Sequence, residues 1–304
     1  MGELLDPLQY AILPVFAFPA LGFYLGRRRL FSVAHAEGAN QYVIEIAVPC
    51  ITFYLLARAN LTDIDWPVVG TYIAINCSLF AYTYLFTQAV FGMDRKEAIL
   101  LGVVSALPNH VFFSLPIGEN AFGAEAMLPM GAMIAADALI LFSGAVMLLE
   151  INSGREGARA ALGGILRNRI LQGTAAGLAF SLAGLEFHAG FERFLILAAA
   201  SGAPPALFAL GVVLANANLT QGWGPARMAT VISLVVAPVL GWVLLGDIVP
   251  ASDETVIVAL LALGGPSAST GFIIGLKYGI NVEATAKATI MTTALSVFTI
   301  ALIL

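Results

Sequence analysis

The stretch ALPNHVFFSLPIGENAFG, residues 106–123, combines prolines with polar side chains inside an otherwise apolar chain. Pro108 is followed directly by Asn109 and His110, and Pro116 comes seven residues after Asn109. Proline removes a backbone hydrogen-bond donor and interrupts a helix. The half-helix N-terminus that such a break creates has unsatisfied N–H groups and attracts anions. We therefore predict that Pro108 and Asn109 belong to an anion-binding site, in which the uncharged amide donates to a carboxylate.

A second stretch, GGPSAST, has the same character further along the chain. Ser267 directly follows Pro266, and Ser269 and Thr270 lie one turn on. Short hydroxyl groups can donate to a carboxylate without carrying charge themselves. We predict that these four residues complete the site, so that an anion is held loosely enough to be released. The alternative is that both prolines only kink their helices, which is common in spanning helices.

Ionisable residues also occur inside apolar runs, where they are costly and usually functional. Asp137 lies midway along one run, Glu45 lies near the start of another, and His110 adjoins the first proline. We predict that Asp137 and His110 form a pair that carries a proton, with Glu45 as a further coupling residue. In the alternative interpretation Asp137 caps backbone N–H groups, His110 fills space and Glu45 faces the membrane interface.

The elements that position these residues are membrane helices. The chain is 60% hydrophobic and 11% charged, whereas soluble domains are about 45–50% apolar and about 25% charged. A helix needs about 20 residues to cross the hydrocarbon core. Apolar runs of that size occur at 8–26, 40–58, 66–91, 97–118, 124–149, 169–186, 192–215, 225–246, 254–276 and 282–304. We predict an all-α polytopic membrane protein with ten transmembrane helices, of which the fourth and ninth are broken.

The positions of the basic residues predict the orientation. Of the 14 lysines and arginines, only Arg58 and Arg193 fall on one side of this topology. The positive-inside rule then makes both termini extracytoplasmic in a multi-pass protein of the inner (plasma) membrane. Arg27, Arg28 and Arg29 abut a spanning helix, so they do not indicate a nucleic-acid partner. Neither the two cysteines nor the scattered histidines form a metal or cofactor motif, and no HExxH or GxSxG motif indicates an enzyme.

An internal repeat relates the two proline stretches. Asn60, in ARANLTDIDW, recurs 158 residues later as Asn218, in ANANLTQGW, and the same offset takes Pro108 to Pro266 and Glu125 to Glu283. Each half holds five predicted spans, so the second copy enters the membrane inverted. We predict a first repeat at 1–150, a cytoplasmic linker at 151–168 and a second repeat at 169–304. Inverted repeats with matching broken helices indicate the central site of a secondary transporter.

The same residues carry a family resemblance. LPNHVFFSLPIGENAFG resembles the fourth-helix motif of the auxin efflux carrier family, and GGPSASTGFIIGLKYGINVEA resembles its ninth-helix motif. The resemblance implies the sodium/proton antiporter-like fold of the bile/arsenite/riboflavin-type transporter superfamily, with crossing helices 4 and 9. It implies a scaffold from helices 1–2 and 6–7 and a transport domain from helices 3–5 and 8–10. It also implies substrate contacts at Asn109 and Ser267. Plant members have a larger amide after the second proline and a long central loop, so the chain resembles a prokaryotic-type member.

These patterns together predict a transporter that exports a small organic carboxylate anion by alternating access, with a rocking or elevator-like motion. Each exported negative charge gains about 2.3 kcal/mol at an interior potential of about −100 mV, so export needs no coupling ion. The alternative is proton- or sodium-coupled uptake, of a dicarboxylate or a bile-acid-like anion. We expect Pro49 in span 2 and the Pro204–Pro205 pair in span 7 to shape the scaffold helices that face the site, and the same region is a candidate homodimer surface.

Overall fold

The computed structural model describes residues 13–58, 64–123, 128–152, 163, 168–216, 223–249 and 251–304. All the regular elements in these ranges are helical. The helices are α1 (Leu13–Arg27), α2 (Val33–Tyr42), α3 (Val48–Arg58), α4 (Trp66–Phe91), α5 (Arg95–Ala106), α6 (Leu115–Phe122), α7 (Leu128–Ala136), α8 (Ser143–Asn152), α9 (Arg169–Leu182), α10 (Ala189–Ala200), α11 (Ala203–Asn216), α12 (Trp223–Val231), α13 (Ala237–Val243), α14 (Asp253–Gly264), α15 (Thr270–Lys277) and α16 (Glu283–Ile303).

Short π-helical segments interrupt or precede several of these helices. They cover Val43–Ala47, His110–Ser114, Asp137–Phe142, Ile232–Val236 and Leu244–Ile248. A π-helical turn inserts one extra residue and is found frequently at functional sites. The three residues that the sequence predicts for proton or ion coupling all lie in such segments: Glu45, His110 and Asp137.

Among the described residues, six helical segments are long and apolar enough to cross a membrane. They are Val33–Arg58, Trp66–Phe91, Pro129–Asn152, Ala189–Asn216, Trp223–Gly246 and Glu283–Ile303. They coincide with six of the ten predicted spans. The fourth and ninth predicted spans are each split into two shorter helices at a proline, so neither provides a single helix of spanning length. The protein is therefore an all-helical, multi-pass membrane protein, and the count of ten stays a prediction.

The chain divides into two compact units, each assembled from several separate stretches. Unit 1 comprises residues 1–65, 111–138 and 164–216, and unit 2 comprises residues 66–110, 139–163 and 217–304. Parts of the predicted repeat lie outside the described residues, including Asn60, Asn218, Glu125 and most of the linker at 151–168. The inverted repeat and the scaffold and transport domains stay predictions.

Unit 1 is held together by close approach of helix backbones. Gly211 of α11 packs directly against the Pro19 carbonyl of α1, and Gly22 of α1 packs against the Phe208 carbonyl of α11. Gly173 of α9 meets Pro49 of α3 in the same way. Small residues are what allow membrane helices to pack at such short range, because lipid provides no hydrophobic force between helices. A side chain at any of these three glycines would collide with a backbone.

Unit 2 is built around α5. Every residue from Ala98 to Ala106 is buried, so this helix is packed on all its sides. Its apolar side chains pack with α8 and α15 on one side, through Leu149 and Ile274 among others, and with α12 and α16 on another. A helix that is apolar all round belongs in the centre of a bundle. The helix ends at the first proline break, so its burial fixes the position of that break.

Candidate functional site

Two helix breaks of unit 2 lie side by side and pair through their backbones. The paired segments are Leu107–Asn109, after α5, and Pro266–Ala268, between α14 and α15. Pro108 lies opposite Ser267 as an antiparallel pair. The Asn109 N–H donates to the Pro266 carbonyl at 2.7 Å, and the Ala268 N–H donates to the Leu107 carbonyl at 3.0 Å. Backbone groups that leave a helix in a membrane need such partners.

The paired segments also satisfy a carbonyl that proline leaves without a donor. In a continuous helix the Val104 carbonyl accepts from the N–H four residues later, but that residue is Pro108, which has no N–H. The Ser267 hydroxyl donates to the Val104 carbonyl instead. The Ser267 N–H in turn donates to Thr292 Oγ1 of α16 at 3.2 Å. Ser267 is fully buried, so in this conformation its hydroxyl holds the break together.

The first break carries the more reactive side chains. Asn109 is 8% exposed and His110 is 3% exposed. The hydroxyl of Tyr72, on α4, lies 2.6 Å from His110 Nε2, and Tyr72 is itself fully buried. Either atom can carry the hydrogen, depending on the histidine tautomer. A buried hydroxyl–imidazole pair next to the break is an arrangement through which a proton can move.

The start of α15 offers hydroxyl groups close to the second break. Ser269 and Thr270 are half-buried, one and two residues after the paired segment. Within the part of the chain that the structure describes, no hydrogen bond engages either hydroxyl. Both can therefore donate to a ligand, together with the N–H groups that are free at the first turn of any helix.

The structure thus gathers seven predicted site residues in unit 2: Pro108, Asn109, His110, Pro266, Ser267, Ser269 and Thr270. The other two predicted residues, Asp137 and Glu45, belong to unit 1. Asp137 is buried at the start of its π-helical segment, and its proton pair with His110 stays a prediction. The Glu45 carboxylate is 52% exposed and lies 3.4 Å from Arg169 Nε. This ion pair fits the alternative in which Glu45 faces the interface.

Three contributors were not predicted from the sequence. The Val104 carbonyl had a signal, because Val104 stands four residues before Pro108 and must lose its helical donor. Tyr72 and Thr292 had none, since each stands in an apolar run where nothing local distinguishes it from a packing residue. Their roles follow only from which helices the fold brings together.

A comparison with known proteins decides the family. The sequence profile described as "Membrane transport protein" matches residues 8–162 and 165–304. The chain belongs to the membrane transport protein family. It is 28% identical over 305 residues to a Rhizobium meliloti protein provisionally named a malonate transporter, across 95% of this chain and 92% of the relative. It is 23% identical to the uncharacterized transporter YfdV of Escherichia coli, across 88% of each.

Plant auxin carriers of this family match a smaller part of the chain. Auxin efflux carrier component 8 of Arabidopsis thaliana is 24% identical over 151 residues, which is 48% of this chain and 41% of the plant protein. The resemblance to auxin efflux carriers is therefore confirmed. The bacterial relatives match nearly the whole chain, as expected for a prokaryotic-type member. Because these relatives are named as transporters, a transporter and not an enzyme is the consistent assignment for this member of the family.

Proposed function

We propose that this transporter moves a small organic anion with a carboxylate group across the cytoplasmic membrane, and that the paired segments hold the anion. The observation that carries the proposal is the side-by-side pairing of two broken helices, which places Asn109 beside the segment that leads into Ser269 and Thr270. Amide and hydroxyl donors without a fixed charge suit an anion that must bind and then leave. The relative named for malonate supports a carboxylate as substrate.

Export by alternating access is the direction that requires no coupling ion. An anion that leaves a cell with a negative interior is driven by the membrane potential, at about 2.3 kcal/mol per charge and 100 mV. Uptake of the same anion needs a coupling ion. We place both termini outside and propose that unit 2, which holds both breaks, is the part that carries the substrate.

A proton-coupled version is the second candidate, and the Tyr72–His110 contact favours it. The Tyr72 hydroxyl lies 2.6 Å from His110 Nε2, so either group can hold the shared hydrogen while both side chains stay in place. In this version His110 exchanges a proton during each cycle, with Asp137 as its predicted partner. Sodium coupling has less support, because the stretch 255–275 around the second break contains no carboxylate.

The test is a current measurement on proteoliposomes adsorbed to a solid-supported membrane, with a malonate gradient as the driving force. Wild-type protein should give a malonate-dependent current. Asn109→Ala should lower it about 10- to 100-fold, because a hydrogen bond to a charged group contributes about 1.5–3 kcal/mol. Ser78→Ala is the matched control, since the Ser78 hydroxyl is exposed and donates to the Ala74 carbonyl of its own helix.

Each outcome separates the versions of the proposal. Malonate current that Asn109→Ala leaves unchanged contradicts the site. Current that reverses with an imposed pH gradient, and loses this dependence in His110→Asn, favours proton coupling over uncoupled export. If no carboxylate in a panel of mono- and dicarboxylates gives current or counterflow with wild-type protein, the substrate class is wrong.

A further inference from the structure

Lys287 is a buried cation that the proposed site does not use. It lies in the second turn of α16 and is fully buried. Among the described residues, no hydrogen-bond acceptor reaches its Nζ atom. An ammonium group has three donors and is strongly hydrated, so burying it without an acceptor is unfavourable. A bound anion would supply the acceptors that the ammonium group lacks.

The contact that Lys287 does make is with an aromatic ring. Its Nζ lies 5.4 Å from the centroid of Trp223, at the start of α12, and the Arg227 guanidinium lies 5.8 Å from the same ring. A cation–π contact attracts a cation but accepts none of its hydrogen bonds in the way an oxygen does. Trp223 is 38% exposed, so the indole is the part of this group that reaches the surface of unit 2.

The surroundings of Lys287 add positive potential. A cluster of buried side chains joins α12 and the first two turns of α16 to the second half of α5: Leu101, Val104, Ala226, Ala229, Ala284 and Ala288. The starts of α12 and α16 therefore lie close together, where Lys287 meets the Trp223 ring, and each carries the positive end of its helix dipole. A carboxylate at this point would meet two helix dipoles and the Lys287 ammonium together.

One acidic residue could neutralise the lysine from its own helix. Glu283 stands four residues before Lys287, a spacing at which opposite charges on a helix attract. In the described part of the structure, however, no ion pair joins the two. The Glu283 backbone N–H is instead capped by the Asn281 side chain. Lys287 thus keeps its donors for another anion.

The position of Lys287 relates it to the paired segments. Thr292 of the same helix accepts the Ser267 N–H, and five residues of α-helix correspond to about 7.5 Å of rise. We infer that Lys287, with Trp223 and the starts of α12 and α16, is a second binding site for a carboxylate anion. The substrate occupies it before it reaches the paired segments or after it leaves them. This inference rests on the proposed function and adds a second substrate-binding site to the transport path.

The test measures malonate binding by calorimetry to the full chain in nanodiscs of phosphatidylcholine. Lys287→Met keeps the length of the side chain and removes its charge, and it should weaken binding at least tenfold with folding retained. Lys287→Arg should bind within about threefold of wild type, because Arg retains charge-assisted donors for a carboxylate. Arg95→Met is the matched control, since it removes an exposed charge from the start of α5 and should change affinity less than twofold.

Two further measurements distinguish a substrate site from an ion pair with Glu283 and from a lipid-headgroup site. Glu283→Gln should tighten malonate binding, because it removes the only acidic side chain spaced to compete for Lys287 on α16. A loss of affinity in Glu283→Gln as large as that in Lys287→Met would make the two a structural ion pair and overturn the inference. Loss of malonate binding when phosphatidylglycerol replaces phosphatidylcholine would assign the lysine to a lipid headgroup, with the same consequence.

Failure of this inference can be told apart from failure of the proposed function. Unchanged malonate affinity in Lys287→Met, with wild-type transport intact, overturns only the second site. Absence of carboxylate transport by wild-type protein overturns both. If Lys287→Met does not yield folded protein, Lys287→Gln is measured in its place and the same tenfold loss is required.

Discussion

The two helix breaks of unit 2 each contain a proline, Pro108 or Pro266, but they differ in what their side chains do. After Pro108, Asn109 and His110 keep polar groups next to the break, and His110 meets the Tyr72 hydroxyl. After Pro266, Ser267 is fully buried, and both its hydroxyl and its N–H are used to hold neighbouring helices. The first break is therefore the better candidate for direct contact with a ligand, and the second is the one that locks the pair.

This difference shows that one residue, Ser267, links the two proline breaks through its hydrogen bonds. Pro108 leaves the Val104 carbonyl without its helical donor, and the residue that supplies a new donor follows Pro266. Neither break satisfies its backbone groups alone, which is why they must lie side by side in a membrane. The following changes test this division of roles, from the largest expected effect to the smallest.

Replacing both prolines should have the largest effect. In the double variant Pro108→Ala with Pro266→Ala, each helix regains an N–H and can continue. The backbone groups of the paired segments then no longer need partners in the opposite segment. We expect malonate current to fall at least about 100-fold, since a proline break changes helix energetics by about 3 kcal/mol. Pro67→Ala is the control, because proline near a helix start costs little. A double variant with normal current would contradict the role of the breaks.

Ser267→Ala should affect stability before it affects substrate affinity. It leaves the buried Val104 carbonyl without a donor, at a cost of about 1–3 kcal/mol in the free energy of unfolding. The melting temperature should fall, whereas Ser269→Ala should leave it unchanged. The opposite result, a normal melting temperature with weakened malonate binding, would mean that Ser267 contacts the substrate directly, as we propose for Asn109.

Tyr72→Phe should have a moderate effect that depends on pH. It removes the hydroxyl next to His110 Nε2, and a net hydrogen bond contributes about 0.5–1.5 kcal/mol, which corresponds to roughly a two- to tenfold change in rate. Transport measured between pH 5.5 and 8.5 should change its pH profile as well as its rate. Tyr82→Phe, on an exposed position of the same helix, should behave as wild type. An unaltered profile in Tyr72→Phe would favour uncoupled export.

Thr292→Val should have the smallest effect. It removes the acceptor of the Ser267 N–H at 3.2 Å and keeps the shape of the side chain. We expect a loss of about 1 kcal/mol in the free energy of unfolding, at the low end for a buried donor left without its acceptor because the hydrogen bond is long, and less than a threefold change in transport. Thr292→Ser, which keeps the hydroxyl, should restore the wild-type stability. A larger loss from Thr292→Val than from Ser267→Ala would mean that the Ser267 N–H, and not its hydroxyl, makes the more important hydrogen bond.

Much of the site could be read from the sequence because proline acts locally. Pro108 and Pro266 each lack an N–H whatever surrounds them, and the residues directly after them lie next to the break. The membrane character was equally local, since a run of apolar residues needs no partner to be recognised. Glu45 shows the limit of this reasoning: its ion pair with Arg169 depends on the packing of α9 and could not be read from an apolar run, and its role in coupling stays a prediction.

The sequence by itself determined that this is a multi-pass helical membrane protein of the membrane transport protein family, with two helices broken at Pro108 and Pro266. Those properties depend on side-chain hydropathy and on one missing N–H group, both of which are local. Only the tertiary structure decided three contacts. The Ser267 hydroxyl donates to the Val104 carbonyl, the Tyr72 hydroxyl lies beside His110, and Lys287 is buried beside Trp223. Each of these contacts joins residues from different helices, and the packing of those helices, not the spacing along the chain, fixes which side chains meet.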